Sequence, residues 1–153
     1  MLRTGSKKAA AFTLVCDLLK GLLPLLIARW LQFDIHMLCL MGLAAIVGHM
    51  YPIYYRFAGG KGVATYLGVL LGVYWPLAIA WAFLWISVAK LSGYSSLAAL
   101  VATAILPVIA WLLELPNSIV YLTTTVMVLI VWRHRSNIKN LLSGKEGKIK
   151  PRD

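Results

Sequence analysis

Acidic and metal-ligating side chains are the scarcest chemistry in this chain: five Asp and Glu, three His and two Cys among 153 residues. No carboxylate dyad, Ser-His-Asp order or metal-ligand cluster can be assembled from so few. Cys16 and Cys39 each lie inside an apolar run with no second ligand at metal spacing. They read as buried, inert thiols and say nothing about redox compartment. Alternating ten-residue segments are missing, which excludes a transmembrane β-barrel. Charge of either sign is low, 13% against about a quarter in soluble domains. No cleavable signal peptide is visible, because residues 1–8 are polar and basic and no small-residue cleavage site follows the first apolar run.

Most of the chain is oil. It is 61% hydrophobic, in runs at 9–31, 35–54, 63–89, 97–113 and 118–132. A bilayer core needs about 20 residues of helix, so the expected class is all-α: a polytopic helical membrane protein forming one domain over 1–153. A basic tail occupies 133–153. The run at 63–89 contains Pro76 and reads either as one tilted span or as two short segments. Charge arbitrates. With two short segments the total is six, and all fifteen Lys and Arg except Lys20 and Arg29 belong to the cytoplasmic termini and loops. That distribution obeys the positive-inside rule and places both termini in the cytoplasm. The net charge of +10 therefore reads as membrane orientation and not as nucleic-acid binding.

Three stretches carry possible chemistry. "RFAGGKGVAT" places Gly59, Gly60, Lys61 and Gly62 between two apolar runs. Glycines let successive N–H groups converge on an anion, a helix just after them adds its N-terminal partial charge, and Lys61 adds a full one. The motif is not a Walker loop, since neither GxxxxGK[ST] nor a hydroxyl after the lysine is present. A glycine-rich membrane turn is the competing reading. In "RHRSN", His134 and Asn137 are three apart and share a face if the last helix continues; a basic stripe on lipid headgroups is the alternative. His49, in "GHMYP", reads as a helix-end hydrogen bonder. Asp17 and Lys20, three apart within a span, are expensive in lipid unless they pair or face the bundle interior. A mutual ion pair and a catalytic role both remain open.

"GHMYPIYYRFAGGKGVAT", "SGYSSLAA" and "RHRSNIKNLLSGKEGKI" together resemble, in order and spacing, the acyl-phosphate:glycerol-3-phosphate acyltransferase family (PlsY). The resemblance runs through essentially the whole chain. It implies a bacterial inner-membrane enzyme that moves a fatty acyl group from acyl phosphate to the 1-hydroxyl of sn-glycerol 3-phosphate. The products are lysophosphatidic acid and phosphate, the first step of phospholipid synthesis. It implies phosphate binding by Gly59, Gly60, Lys61 and Gly62, by Arg3 and by Ser96. His134 and Asn137, with Lys61, would serve catalysis, with His49 in support; Glu146, also supporting, matches a family glutamate that serves integrity rather than chemistry. No metal, nucleotide or coenzyme A is implied.

This chain has Ala58 where the family usually has lysine, and Asn140 where arginine is usual. The family has seven segments and a glycine-serine-asparagine loop after the first, and the present sequence resembles the portion C-terminal to that loop. The expected partners are the two substrates, membrane lipid and a soluble enzyme that makes acyl phosphate; nucleic acid is not among them. Two other functions compete: a catalytically silent truncated relative, and a transporter or binding protein for a phosphorylated solute. A transporter is expected to show two matching halves with broken helices, and the sequence has no internal repeat.

Overall fold

The computed structural model describes residues 7–149, so Arg3 lies outside the described residues. Six helices succeed one another: α1 (Lys7–Trp30), α2 (Ile35–Met50), α3 (Val63–Ser92), α4 (Ser95–Leu112), α5 (Asn117–Arg133) and α6 (Arg135–Leu142). A single 3-10 turn, Ile53–Tyr55, lies between α2 and α3. Among the described residues α1, α3 and α4 are long and apolar enough to cross a membrane, and α2 and α5 are shorter apolar helices. The all-α membrane expectation is met.

The expected split of 63–89 is also present, but not at the proline itself. Tyr74 has non-helical backbone (φ −156, ψ 92) inside α3. Pro76 consequently falls in the first turn of the next helical piece, where its missing N–H has no helical partner to lose. The two pieces are unequal. The first runs 63–73 and spans about 16 Å; the second runs 75–92 and spans about 27 Å. The chain forms two compact units that part at the same point, Met1–Tyr74 and Trp75–Asp153.

In the first unit, α1 and the start of α3 pack with almost no side chain between them. A methyl group at Gly21 would overlap the Thr65 carbonyl, and one at Gly68 would overlap the Leu18 carbonyl. Four residues on, Gly72 abuts Leu25. Small residues at such spacing let membrane helices approach backbone to backbone. Leu25, Ala28, Ile46, Met50, Tyr66 and Val69 form the buried interior. Asp34 caps α2, its Oδ1 accepting from the Met37 amide at 2.9 Å.

In the second unit, α4 buries Ala98, Ala102, Leu106 and Ala110 at four-residue spacing. Its neighbour α5 buries Ile119, Leu122, Val126 and Ile130. The Trp81 indole of α3 donates to the Thr103 hydroxyl of α4 at 3.0 Å. This bond satisfies the polar atoms of both inside an apolar core.

Candidate active site

The glycine loop is built on the end of α2. After Met50 the chain turns sharply, and Arg56 and Phe57 both adopt left-handed backbone (φ 50 and 61). Two consecutive non-glycine residues in that region cost about 1–2 kcal/mol each, a strain of the kind found at ligand-binding loops. The three glycines after them each have a steric reason. A methyl group at Gly59 would overlap the His49 and Met50 carbonyl oxygens. One at Gly60 would enter the His49 imidazole, and the Gly60 amide donates to the His49 carbonyl at 3.3 Å. Gly62 has φ +82 and lies against the Met50 side chain. Gly62 also accepts the Tyr66 amide at 2.8 Å, which starts α3 directly after the loop. The glycines thus seat the loop on α2 as a tight turn, and Lys61, exposed between Gly60 and Gly62, stands just before the N-terminus of α3.

Beneath this loop lies a charged cluster. Lys20 Nζ meets Asp17 Oδ1 at 2.7 Å, and His49 Nδ1 is 3.6 Å from the same oxygen. The pairing of Asp17 with Lys20, one of two readings of the sequence, is present. The sequence carries no signal for the inclusion of His49, which lies on a different helix from Asp17 and at no local spacing from it.

The second unit holds another polar cluster, centred on Glu146. Its Oε1 accepts from the Ser96 hydroxyl at 2.6 Å and from Asn137 Nδ2 at 2.7 Å. The segment carrying Glu146 is pinned to the α3–α4 turn. The Ile149 amide donates to the Gly93 carbonyl at 2.7 Å, and Lys148 sits 5.8 Å from the Tyr94 ring centroid. The 133–153 tail is therefore folded back as far as Ile149. One turn before Asn137, His134 is 2% exposed at the junction of α5 and α6. Its Nδ1 lies 2.9 Å from the Ile130 carbonyl. A carbonyl only accepts, so Nδ1 carries the proton, and in the neutral ring Nε2 carries the lone pair.

The sequence-derived site residues thus fall into two groups. Gly59, Gly60, Lys61, Gly62 and His49 come together in the first unit. Ser96, Asn137 and Glu146 come together in the second, with His134 next to them along the chain. Ser96 commits its one hydroxyl proton to Glu146, an arrangement that no local pattern signals. Also in the second unit, Trp85, Ile86, Ala89, Lys90, Lys148 and Ile149 help to line a trough of about 690 Å³, apolar along its wall and cationic at Lys90 and Lys148.

Apolar spans, a strained glycine-lysine loop and two polar clusters, each gathered around one carboxylate, define an integral membrane protein with polar chemistry held among its helices. The family model described as glycerol-3-phosphate acyltransferase matches residues 1–144. A glycerol-3-phosphate acyltransferase of Pseudomonas paraeruginosa is 48% identical over 147 residues, covering 95% of this chain and 76% of the relative. One from Methylococcus capsulatus is 46% identical over 149 residues, covering 97% and 75%. The crystal structure of PlsY, an integral membrane glycerol 3-phosphate acyltransferase, in its glycerol 3-phosphate form superposes with a TM-score of 0.91 at 36% identity. It covers 97% of this chain and 74% of that one. Its lysophosphatidic acid form gives 0.89 over 95% and 75%. The chain belongs to the glycerol-3-phosphate acyltransferase (PlsY) family, and it spans about three quarters of the length of those relatives.

Proposed function

We propose that this acyltransferase takes its acyl group from acyl phosphate and esterifies the 1-hydroxyl of sn-glycerol 3-phosphate, working at the cytoplasmic face of a bacterial inner membrane. The observation that carries this reading is the strained loop seated on α2, with Lys61 exposed one residue before the glycine that leads into α3. Both substrates carry phosphate. The loop amides, Lys61 and the N-terminal end of α3 supply positive potential for one of them. Arg3 is assigned a phosphate as well, on sequence resemblance alone.

The chemistry asks for little base strength. The glycerol hydroxyl oxygen forms a bond to the acyl carbon, the acyl-carbon-to-phosphate oxygen bond breaks, and the hydroxyl proton leaves with inorganic phosphate. Phosphate is already a good leaving group, so placing the reactants and stabilising the developing oxyanion carry most of the rate. His134, with its tautomer set by Ile130, offers Nε2 to orient the attacking hydroxyl. Asn137 is held by Glu146 and acts beside it. Ser96 contributes to phosphate binding by rotating its proton from Glu146 to the phosphate oxygen. The trough along α3 and the 148–149 segment suits an acyl chain, with Lys90 and Lys148 meeting its anionic end. A soluble enzyme producing acyl phosphate is the proposed protein partner.

The test is an assay of the intact protein in proteoliposomes with acyl phosphate and glycerol 3-phosphate, measuring phosphate release and lysophosphatidic acid together. Stoichiometric formation of both is expected, with Lys61→Ala weakened through a raised KM for one of the two substrates. Equal activity with an acyl thioester as sole donor, or full activity in Lys61→Ala, overturns the reading.

A further inference from the structure

We infer that Asp17 is a positioning residue for the acyl transfer: it holds the His49 ring against Gly60 and so sets the geometry of the loop carrying Lys61. The proposal rests on the reading of that loop as a phosphate binder. The "DLLKG" stretch interrupts an apolar span with two charges, which lipid penalises unless they do something in place. An isolated Asp–Lys pair three residues apart on a helix contributes only about 0.5 kcal/mol. Stability gained from the pair is therefore a weak reason for charge at this position.

The structure shows a better one. The carboxylate Oδ1 that takes Lys20 at 2.7 Å also stands 3.6 Å from His49 Nδ1. The adjoining Cε1–Nε2 edge of the same ring fills the space that a Gly60 side chain would need. His49 is mostly covered, its side chain 10% exposed, and so the ring is a wedge between α1 and the loop. One turn further along α1, Gly21 abuts the Thr65 carbonyl at the start of α3. A single stretch of α1 thus braces both flanks of the loop, through Asp17 and His49 on the α2 side and through Gly21 on the α3 side. Lys20 has a matching task. It neutralises Asp17, so that the brace adds no negative potential beneath a loop that must accept an anion.

The test compares KM for each substrate with kcat in the intact protein in proteoliposomes, for Asp17→Asn, His49→Gln, the two combined, and Lys61→Ala. Lys61→Ala shows which substrate the loop reads. Asp17→Asn is expected to raise KM for that same substrate about tenfold, leave the other KM within twofold, and leave kcat within threefold. His49→Gln on top of Asp17→Asn is expected to add less than twofold, because both changes loosen one wedge.

If Lys61→Ala moves neither KM, the phosphate reading of the loop falls and the brace falls with it. If Lys61→Ala acts but Asp17→Asn moves neither KM, or moves both equally, the brace alone falls. It also falls if the two strut changes multiply. Should Asp17→Asn fail to accumulate because Lys20 is left uncompensated, Asp17→Asn with Lys20→Met removes both charges, and the same selective rise in KM is expected. Failure of that variant to fold overturns the proposal too, since residue 17 would then be required for assembly and not for loop geometry.

Discussion

Arg29 Nε donates to the Gly72 carbonyl at 2.5 Å, while its Nη2 reaches the next carbonyl, that of Val73. These are the last two carbonyls before the break at Tyr74, and a helix interrupted there leaves them without N–H partners. A cation at the C-terminal end of a helical piece is also favoured by the helix dipole. The planar fork of arginine presents two spaced N–H donors to two adjacent acceptors in a fixed geometry, whereas an ammonium must reach both from one nitrogen. We expect Arg29→Met to destabilise the protein by about 2 kcal/mol, read as a drop in thermal unfolding temperature in detergent. Arg29→Lys should recover less than half of that loss.

The glycines of α1 and α3 are expected to divide sharply from Gly48 in a substitution series. Gly68→Ala places a methyl group into the Leu18 carbonyl, which is backbone and cannot rotate away. We expect a loss of about 3 kcal/mol or more, the range for overpacking a tight contact, or no folded protein at all. Nothing lies within 4 Å of a methyl at Gly48. There alanine is expected to stabilise α2 by about 0.5–1 kcal/mol, the helix-propensity difference. Measuring both in one detergent by thermal unfolding checks the pair.

Two helix ends close with non-glycine residues in left-handed backbone: Gln32 (φ 62) and Glu114 (φ 52). At both, the next amide reaches back five residues, Phe33 to Ala28 and Leu115 to Ala110, each at 3.0 Å. This is the bonding of a helix terminus at which glycine is the usual residue. Glu114→Gly should stabilise the protein by up to about 1 kcal/mol. The gain is expected as a rise in unfolding temperature with kcat unchanged.

Much of the fold was legible in the sequence because membrane burial writes a strong, simple signal. Long apolar runs became α1 to α5, and Pro76 marked a break. The break's position was less legible: proline is tolerated in a first helical turn, so Tyr74 breaks and Pro76 sits inside the next piece. Gly59, Gly60 and Gly62 were visible as a loop, but their reason was not. They avoid the end of α2, and only the folded chain brings the His49 ring and the Met50 carbonyl to them. The Glu146 cluster joins Ser96 to a residue 50 positions away, and Asp17 reaches His49 across two helices. Contacts between single polar residues at such separations leave no periodicity to read.

Glu146 accepts two hydrogen bonds on one carboxylate oxygen, and if Asn137 acts in the reaction as proposed, removal of Glu146 should act on rate through it. Glu146→Ala leaves the mostly buried Ser96 hydroxyl and the Asn137 amide without their charged acceptor, a loss of about 1.5–3 kcal/mol per bond. We expect kcat to fall about 100-fold. Glu146→Gln keeps an oxygen acceptor in the same place without the charge, and should retain about a tenth of wild-type kcat. Equal kcat in wild type and Glu146→Ala would show that Asn137 needs no orienting partner.

His134→Asn separates the two edges of the imidazole. The asparagine amide can donate to the Ile130 carbonyl as Nδ1 does now, so helix α5 should keep its end and the protein its stability to within about 1 kcal/mol. Nothing in asparagine reaches where Nε2 stands. If that nitrogen orients the attacking hydroxyl, kcat should fall by about 10²–10³, within the range for removing a group that handles the proton or hydroxyl in the transition state. KM for glycerol 3-phosphate should change much less if its phosphate is held by other residues. Steady-state kinetics with both substrates varied, alongside the unfolding temperature, checks this. A fall in kcat matched by a large fall in unfolding temperature would assign His134 to the α5–α6 junction and not to the reaction.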